Sequence, residues 1–238
     1  METSIRGYSL KEIVQSNDFY SVYNAEHAIL KGQELRITVL RKEIADDSKI
    51  RSAFNQSIFK LAFVEHPNIA RNIDMLEEND KLVVLSEKED YTPLQDFVFN
   101  YSVDTKLTIC QKVLNAVIYL NSRNIYVTDL KPDCVLIDHE RQPKIINAGL
   151  INIFFNTDNE DISNSLQTHL SFSAPEILDN PKNISEKSDV YTCALFIKYV
   201  FGNGDLFDDH HDLSDTPIYL HNRSEEHTSE LQSHSDLV

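Results

Sequence analysis

Apolar and polar positions alternate in three runs near the start of the chain: Tyr8–Val14, Phe19–His27 and Glu34–Leu40, with Lys31-Gly32-Gln33 as a turn before the third. Alternation with a period of two predicts strands, here an antiparallel meander. The period then lengthens. Over 47–65, Ile50, Phe54, Ile58, Leu61 and Ala62 recur at three- and four-residue steps, which predicts a helix with one buried stripe. Ala70–Leu76 and Lys81–Ser86 flank the polar turn Glu77–Asp80 and add two strands. Five strands and one helix make a small lobe over residues 8–87.

From residue 88 the pattern is mainly helical. Leu94–Phe99 and a long stretch Asp104–Arg123, with Leu107, Cys110, Val113, Leu114, Val117 and Leu120 in helical period, predict two helices. Cys134–Ile137 and Lys144–Ile146 read as short strands joined by a turn. Residues 151–173 are polar and irregular, too long for a plain connection. Val190–Phe201 is apolar on nearly all sides, as in a helix buried at a domain centre. The expected class is α+β: a five-stranded antiparallel lobe with one helix, then a larger helical lobe over 88–222.

Composition narrows the function. With 238 residues and 41% hydrophobic residues, the chain can bury one substantial core. Its formal charge of −16 disfavours nucleic acid and anionic membrane as partners, because binding their phosphates needs a basic face. No run approaches the roughly 18 to 20 apolar residues of a membrane span, and Met1–Leu10 lacks the basic-then-apolar order of a secretory signal. A cytoplasmic, or alternatively nuclear, location follows. Cys110, Cys134 and Cys193 have no metal-type spacing and read as reduced core thiols.

Short motifs then fall in a fixed order. His66-Pro67-Asn68-Ile69 follows the first helix, and Asp129-Leu130-Lys131-Pro132-Asp133 follows the long one; Asn147-Ala148-Gly149, Ala174-Pro175-Glu176 and Ser188-Asp189-Val190-Tyr191 come after it. Together they resemble the protein kinase family over roughly residues 8–210: the catalytic loop, the D-F-G segment, the A-P-E signature and the start of the buried central helix. The resemblance implies a two-lobed kinase fold with Asp129 as base, Lys131 beside it on the phosphate, and Asp189 supporting the loop.

The same resemblance marks what is missing. Phosphoryl transfer depends on positioning and on charge stabilisation. The family's glycine-rich loop lets backbone N–H groups reach the phosphates, yet its three glycine positions here hold Gln15, Asn17 and Tyr20, while Val22 is retained. Thr38 stands where the family has the phosphate-binding Lys, Arg36 where it has the alanine above the adenine, and Ser57 where it has the paired Glu. Ser86 and Glu87, ending the fifth strand, complete the nucleotide-site positions. Cys134 replaces the metal-binding Asn and Asn147 the metal-binding Asp, a poor set for Mg²⁺. The H-R-D arginine is Thr128, so Ser163, Ser165 and Thr168 have no evident latch for an added phosphate. Ala148 and Val127 replace the Phe and His of the family's spine.

These departures imply a pseudokinase with no cofactor, a module that engages a protein partner such as a kinase or its substrate. The alternative is a divergent serine/threonine kinase that uses ATP and Mg²⁺ through Asp129 and Lys131. Residues 223–238 resemble the conceptual translation of a sequencing adapter. On that reading the natural sequence is interrupted near Asn222, and the central helix and Glu176 lose part of their cover.

Overall fold

The computed structural model describes residues 4–88, 92–96 and 98–202. Its small lobe is a curled antiparallel sheet of strands β1 (Ser4–Ile5), β2 (Tyr8–Ser16), β3 (Tyr20–His27), β4 (Glu34–Leu40), β5 (Asn72–Glu78) and β6 (Lys81–Glu87), in the order β1-β2-β3-β4-β6-β5. There are six strands here, where five were expected. The added one is two residues long, too short to show alternation, and it is folded back by Arg6 and Gly7 at φ +51° and +80° so that Ile5 pairs with Tyr8.

Between β4 and β5 lie α1 (Lys42–Ala45) and α2 (Ser48–Leu61). Asp47 caps α2 by accepting from the N–H groups of Lys49 and Ile50, and the helix buries Ile50, Phe54 and Leu61. The stripe read from the sequence is therefore the packed one.

The larger lobe holds a small sheet of β7 (Thr92–Pro93), β8 (Val135–Ile137) and β9 (Pro143–Ile145), with helices α3 (Val103–Asn121), α4 (Ile151–Phe154), α5 (Glu160–His169), α6 (Pro175–Asp179) and α7 (Glu186–Phe201). Leu94–Asp96 and Val98–Asn100 form two single 3-10 turns rather than one α-helix. Among the described residues there, Leu94 and Val98 enter the core, and single turns suffice to bury two side chains.

Two further expectations are corrected. The stretch 151–173 contains two helices, because Asn159 caps α5, Glu160 and Asp161 occupy its first turn, and Ile162 and Leu166 bury one turn apart. Helix α7 begins at Glu186 behind a Ser185–Ser188 capping box and is not apolar all round. Its inward face carries Ser188, Asp189 and Thr192 beside Cys193, Phe196 and Val200, while Val190 is 51% exposed.

One hydrophobic cluster runs through both lobes, from Phe19 and Phe54 to Phe154 and Phe196. A second, of Ile5, Ala25, Leu35, Ile37, Leu76, Val83 and Leu85, packs on the opposite face of the sheet. Segment 203–222 and the adapter-like 223–238 lie outside the described residues.

Candidate functional site

The cleft between the lobes is roofed by the β2–β3 hairpin. Asn17 shapes its turn: the side-chain oxygen accepts from the N–H groups of Phe19 and Tyr20, both at 2.9 Å, and Asn17 N–H donates to the Tyr20 carbonyl at 3.0 Å. Arg41 fastens the turn from β4's end, donating to the Asn17 carbonyl and to Ser16 Oγ at 2.9 Å each. The hairpin's own side chains thus satisfy the backbone that a glycine-rich loop would leave free for phosphate. Gln15 pairs with Val22 across the ladder and is half-buried.

Tyr20 points downward, out of the small lobe. Its phenol is 9% exposed and lies among Asn17, Asn147, Cys134 and Asp133. Burial, and then the neighbouring Cys134 and Asp133, push its pKa well above the ordinary tyrosine value. One tyrosine therefore joins the hairpin to both positions at which the family holds metal.

Val22, Arg36, Thr38, Ser86, Glu87 and Asn147 come together around one cavity, with Ala70, Leu136, Lys144 and Ile146 completing its wall. The cavity measures ≈ 10 Å³. That is about the space of one water molecule. Thr38 is fully buried on β4 between Val22 of β3 and Val84 of β6. Ser86 Oγ donates to the Arg36 carbonyl at 3.4 Å, and Glu87 stands 3.8 Å from Arg71. Burial lowers the pKa of Lys144, an effect that Glu87 opposes. Ser57 is not part of this wall: its hydroxyl donates to the Ala53 carbonyl within α2 at 2.8 Å.

Below the cavity, the loop 127–134 is held from α7. Asp189, wholly buried, accepts from the N–H groups of Val127 at 2.9 Å and Thr128 at 2.7 Å, and Thr192 Oγ1 accepts from Leu130 N–H at 2.7 Å. With its amide turned to donate, Asn121 reaches Asp189 at 2.8 Å. Desolvation raises the Asp189 pKa to about 6 in spite of these donors.

Asp129 is buried too, and both of its oxygens are engaged. Oδ1 accepts from Phe172 N–H at 2.8 Å and Ser173 Oγ at 3.4 Å; Oδ2 faces Lys131 Nζ at 3.1 Å. Burial raises its pKa, and Lys131 opposes the shift. Cys134 is half-buried, and desolvation, with Asp133 and Asp129 nearby, holds its thiol neutral, well above the usual range. Asn147 occupies the left-handed region at φ +53°, a conformation that asparagine tolerates well. In the A-P-E signature, Ala174 is buried, Pro175 opens α6 and the Glu176 carbonyl accepts from Asn180 N–H.

Four contributors lie outside the motifs. Thr128 Oγ1 donates to Asn152 of α4 at 2.7 Å, and Asn152 donates on to the Tyr126 carbonyl at 2.7 Å. Asp18 accepts from Ser165 Oγ of α5 at 2.8 Å and stands 3.8 Å from His169. Phe19 stacks on Phe154 at 5.2 Å and meets His169 edge-on. Segment 150–170 is thus fixed against the hairpin by side chains alone. No local pattern predicts the contacts of Asp18, Asn152, Ser165 and His169, whose partners across the site lie 24 to 151 residues away.

The comparisons agree with this geometry. The chain is 24% identical over 210 residues to the carbon catabolite-derepressing protein kinase of Saccharomyces cerevisiae, covering 86% of this chain and 32% of the relative. It is 25% identical over 193 residues to the serine/threonine-protein kinase PrkC of Bacillus subtilis, covering 80% and 29%. The chain therefore spans about a third of the length of these relatives. Among solved structures, the kinase domain of Mycobacterium tuberculosis PknI superposes with a TM-score of 0.67 at 19% identity, covering 85% of this chain and 77% of that one. Rad53 in complex with AMP-PNP gives 0.64 at 23% identity, covering 83% and 49%. No helix among the described residues is long and apolar enough to cross a membrane. The sequence model described as "protein kinase domain" matches residues 10–236, and with the two lobes, the Asp189-held loop and the motif order in place, the chain belongs to the protein kinase domain family.

Proposed function

We propose that this chain is a pseudokinase: a kinase-like domain that does not transfer phosphate and serves as a binding or allosteric module for a protein partner. The observation that carries this reading is the filled cleft. A cavity of ≈ 10 Å³ stands where a nucleotide would sit, against the 300 to 1,000 Å³ of ordinary ligand sites. Arg36 and Thr38 line it in place of an alanine and a lysine.

The residues present do not fit a magnesium nucleotide. Mg²⁺ takes hard, charged oxygen ligands, and the two positions offer a neutral thiol, Cys134, and an uncharged amide, Asn147. Tyr20 lies between them. No catalytic step is therefore assigned to the site. The fold is kept intact meanwhile, from Asp189 to Ala174, and it presents a kinase-shaped surface.

One observation favours a second reading, a divergent kinase using ATP and Mg²⁺. Asp129 and Lys131 remain 3.1 Å apart, the pairing a base and a phosphate-binding cation would need. Thermal melting with ATP, with and without Mg²⁺, separates the two, because a ligand that binds only the folded state raises its melting temperature. No shift is expected in either case. A Mg²⁺-dependent rise, with phosphate transfer abolished in Asp129→Asn, would establish the enzyme instead.

A further inference from the structure

The contacts between the hairpin tip and α5 have a shared geometry. Asp18 sits at the very turn of β2–β3, and its carboxylate receives Ser165 Oγ at 2.8 Å with His169 Nε2 at 3.8 Å. His169 is itself placed by its Nδ1, 2.8 Å from the Ser165 carbonyl. The next residue, Phe19, is buried between the Phe154 ring, at 5.2 Å and 14° from parallel, and the His169 edge. The residue after that is Tyr20, whose ring stacks on Phe154 at 6.4 Å and whose hydroxyl lies among Cys134 and Asn147. The far end of the same segment is tied to α2, where Thr157 donates to the Asp47 carboxylate and Lys49 pairs with Asp158.

We propose that Asp18 is the pivot of an intramolecular clamp, in which α5 holds the hairpin down so that Tyr20 serves as a built-in occupant of the cleft. This rests on the cleft being non-catalytic and adds how it is kept shut. Three consecutive side chains do different work: Asp18 grips α5, Phe19 inserts into the core, and Tyr20 stacks on Phe154 in the neighbourhood of Cys134.

The clamp is breakable by design of its parts. Asp18 is exposed and Ser165 half-exposed, so water competes for their bond, whereas the phenol beneath is enclosed. Releasing the polar grip allows residues 16–20 and 160–169 to part while the sheet and α7 stay folded, a sub-global opening. Cys134, a half-buried neighbour of Tyr20, reports that opening. Cys110 and Cys193 sit in the core between α3 and α7, and they are uncovered only by global unfolding.

The test is alkylation of the full chain with iodoacetamide at pH 8, with mass mapping of each cysteine, in the wild type, Asp18→Ala, Ser165→Ala and Tyr20→Ala. Asp18→Ala and Tyr20→Ala are expected to label Cys134 roughly tenfold faster, and Ser165→Ala severalfold faster, with Cys110 and Cys193 unchanged. A Cys134 rate in Asp18→Ala equal to wild type overturns the clamp. So does equal acceleration of all three thiols, which means general destabilisation. Adding ATP with Mg²⁺ to the opened Asp18→Ala chain reads the other proposal separately: protection of Cys134 by the nucleotide together with phosphate transfer would reject the pseudokinase reading and leave the clamp standing.

Discussion

Asp189 Oδ1 accepts the backbone N–H of Thr128 at 2.7 Å and holds that β-branched residue at φ +68°. A threonine in the left-handed region costs about 1–3 kcal/mol and persists only where its surroundings over-determine it. Here the N–H, the hydroxyl and the carbonyl are all engaged, by Asp189, Asn152 and Ser173. The loop bearing Asp129 and Lys131 is thus fixed from behind, by α7 and α4.

The Asp189 carboxyl carries a pH signature. Burial raises its pKa to about 6, above the ordinary value near 3.9, so the folded chain keeps a proton there that the unfolded chain releases. Its contribution is fully present below about pH 4 and is lost as pH rises through about 6. Urea unfolding is expected to show up to about 3 kcal/mol of such dependence, absent in Asp189→Asn. An unchanged pH slope in the variant would assign the proton elsewhere.

Thr128→Val retains the strained backbone and removes the hydroxyl, leaving Asn152 Oδ1 without its donor. A loss of about 1–2 kcal/mol is expected. In Asn152→Ala the same second change should cost less, giving a coupling of about 1 kcal/mol in a double-mutant cycle. Additive losses would mean that the two side chains act independently.

Gly149 has φ +76°, and a Cβ there would lie 2.9 Å from Ile125 Cγ2. Gly149→Ala therefore combines an unfavourable backbone with overpacking, and should lower stability by about 2–4 kcal/mol. The urea midpoint is expected to fall with an unchanged slope. A variant as stable as the wild type would show that this segment relaxes freely.

Thr38→Lys restores the family's cation to a position that is 1% exposed. The Ser57 hydroxyl, bonded to Ala53, supplies no charge for it. A buried unpaired amine is expected to cost about 3 kcal/mol at pH 7, partly recovered at higher pH and in Thr38→Lys with Ser57→Glu. A neutral effect in the single variant would show that the cleft admits water more readily than its ≈ 10 Å³ cavity implies.

The sequence by itself determined the lobes and most elements. Alternation marked β2, β3, β4, β5 and β6, a buried stripe marked α2 and α3, and motif order placed Asp129, Ala174 and Asp189 in the family's frame. These signals are local or nearly so, because period and capping act within a few residues. Helix α5 reads from the sequence as irregular chain, although the Asn159 cap and the Ile162–Leu166 spacing mark it. Tertiary structure alone decided that Tyr20 turns down toward Cys134, that Ser57 bonds its own helix, and that Asp18 meets Ser165 across 147 residues. Polar contacts of that kind leave no periodic trace, since one exposed aspartate resembles any other until the chain closes around it.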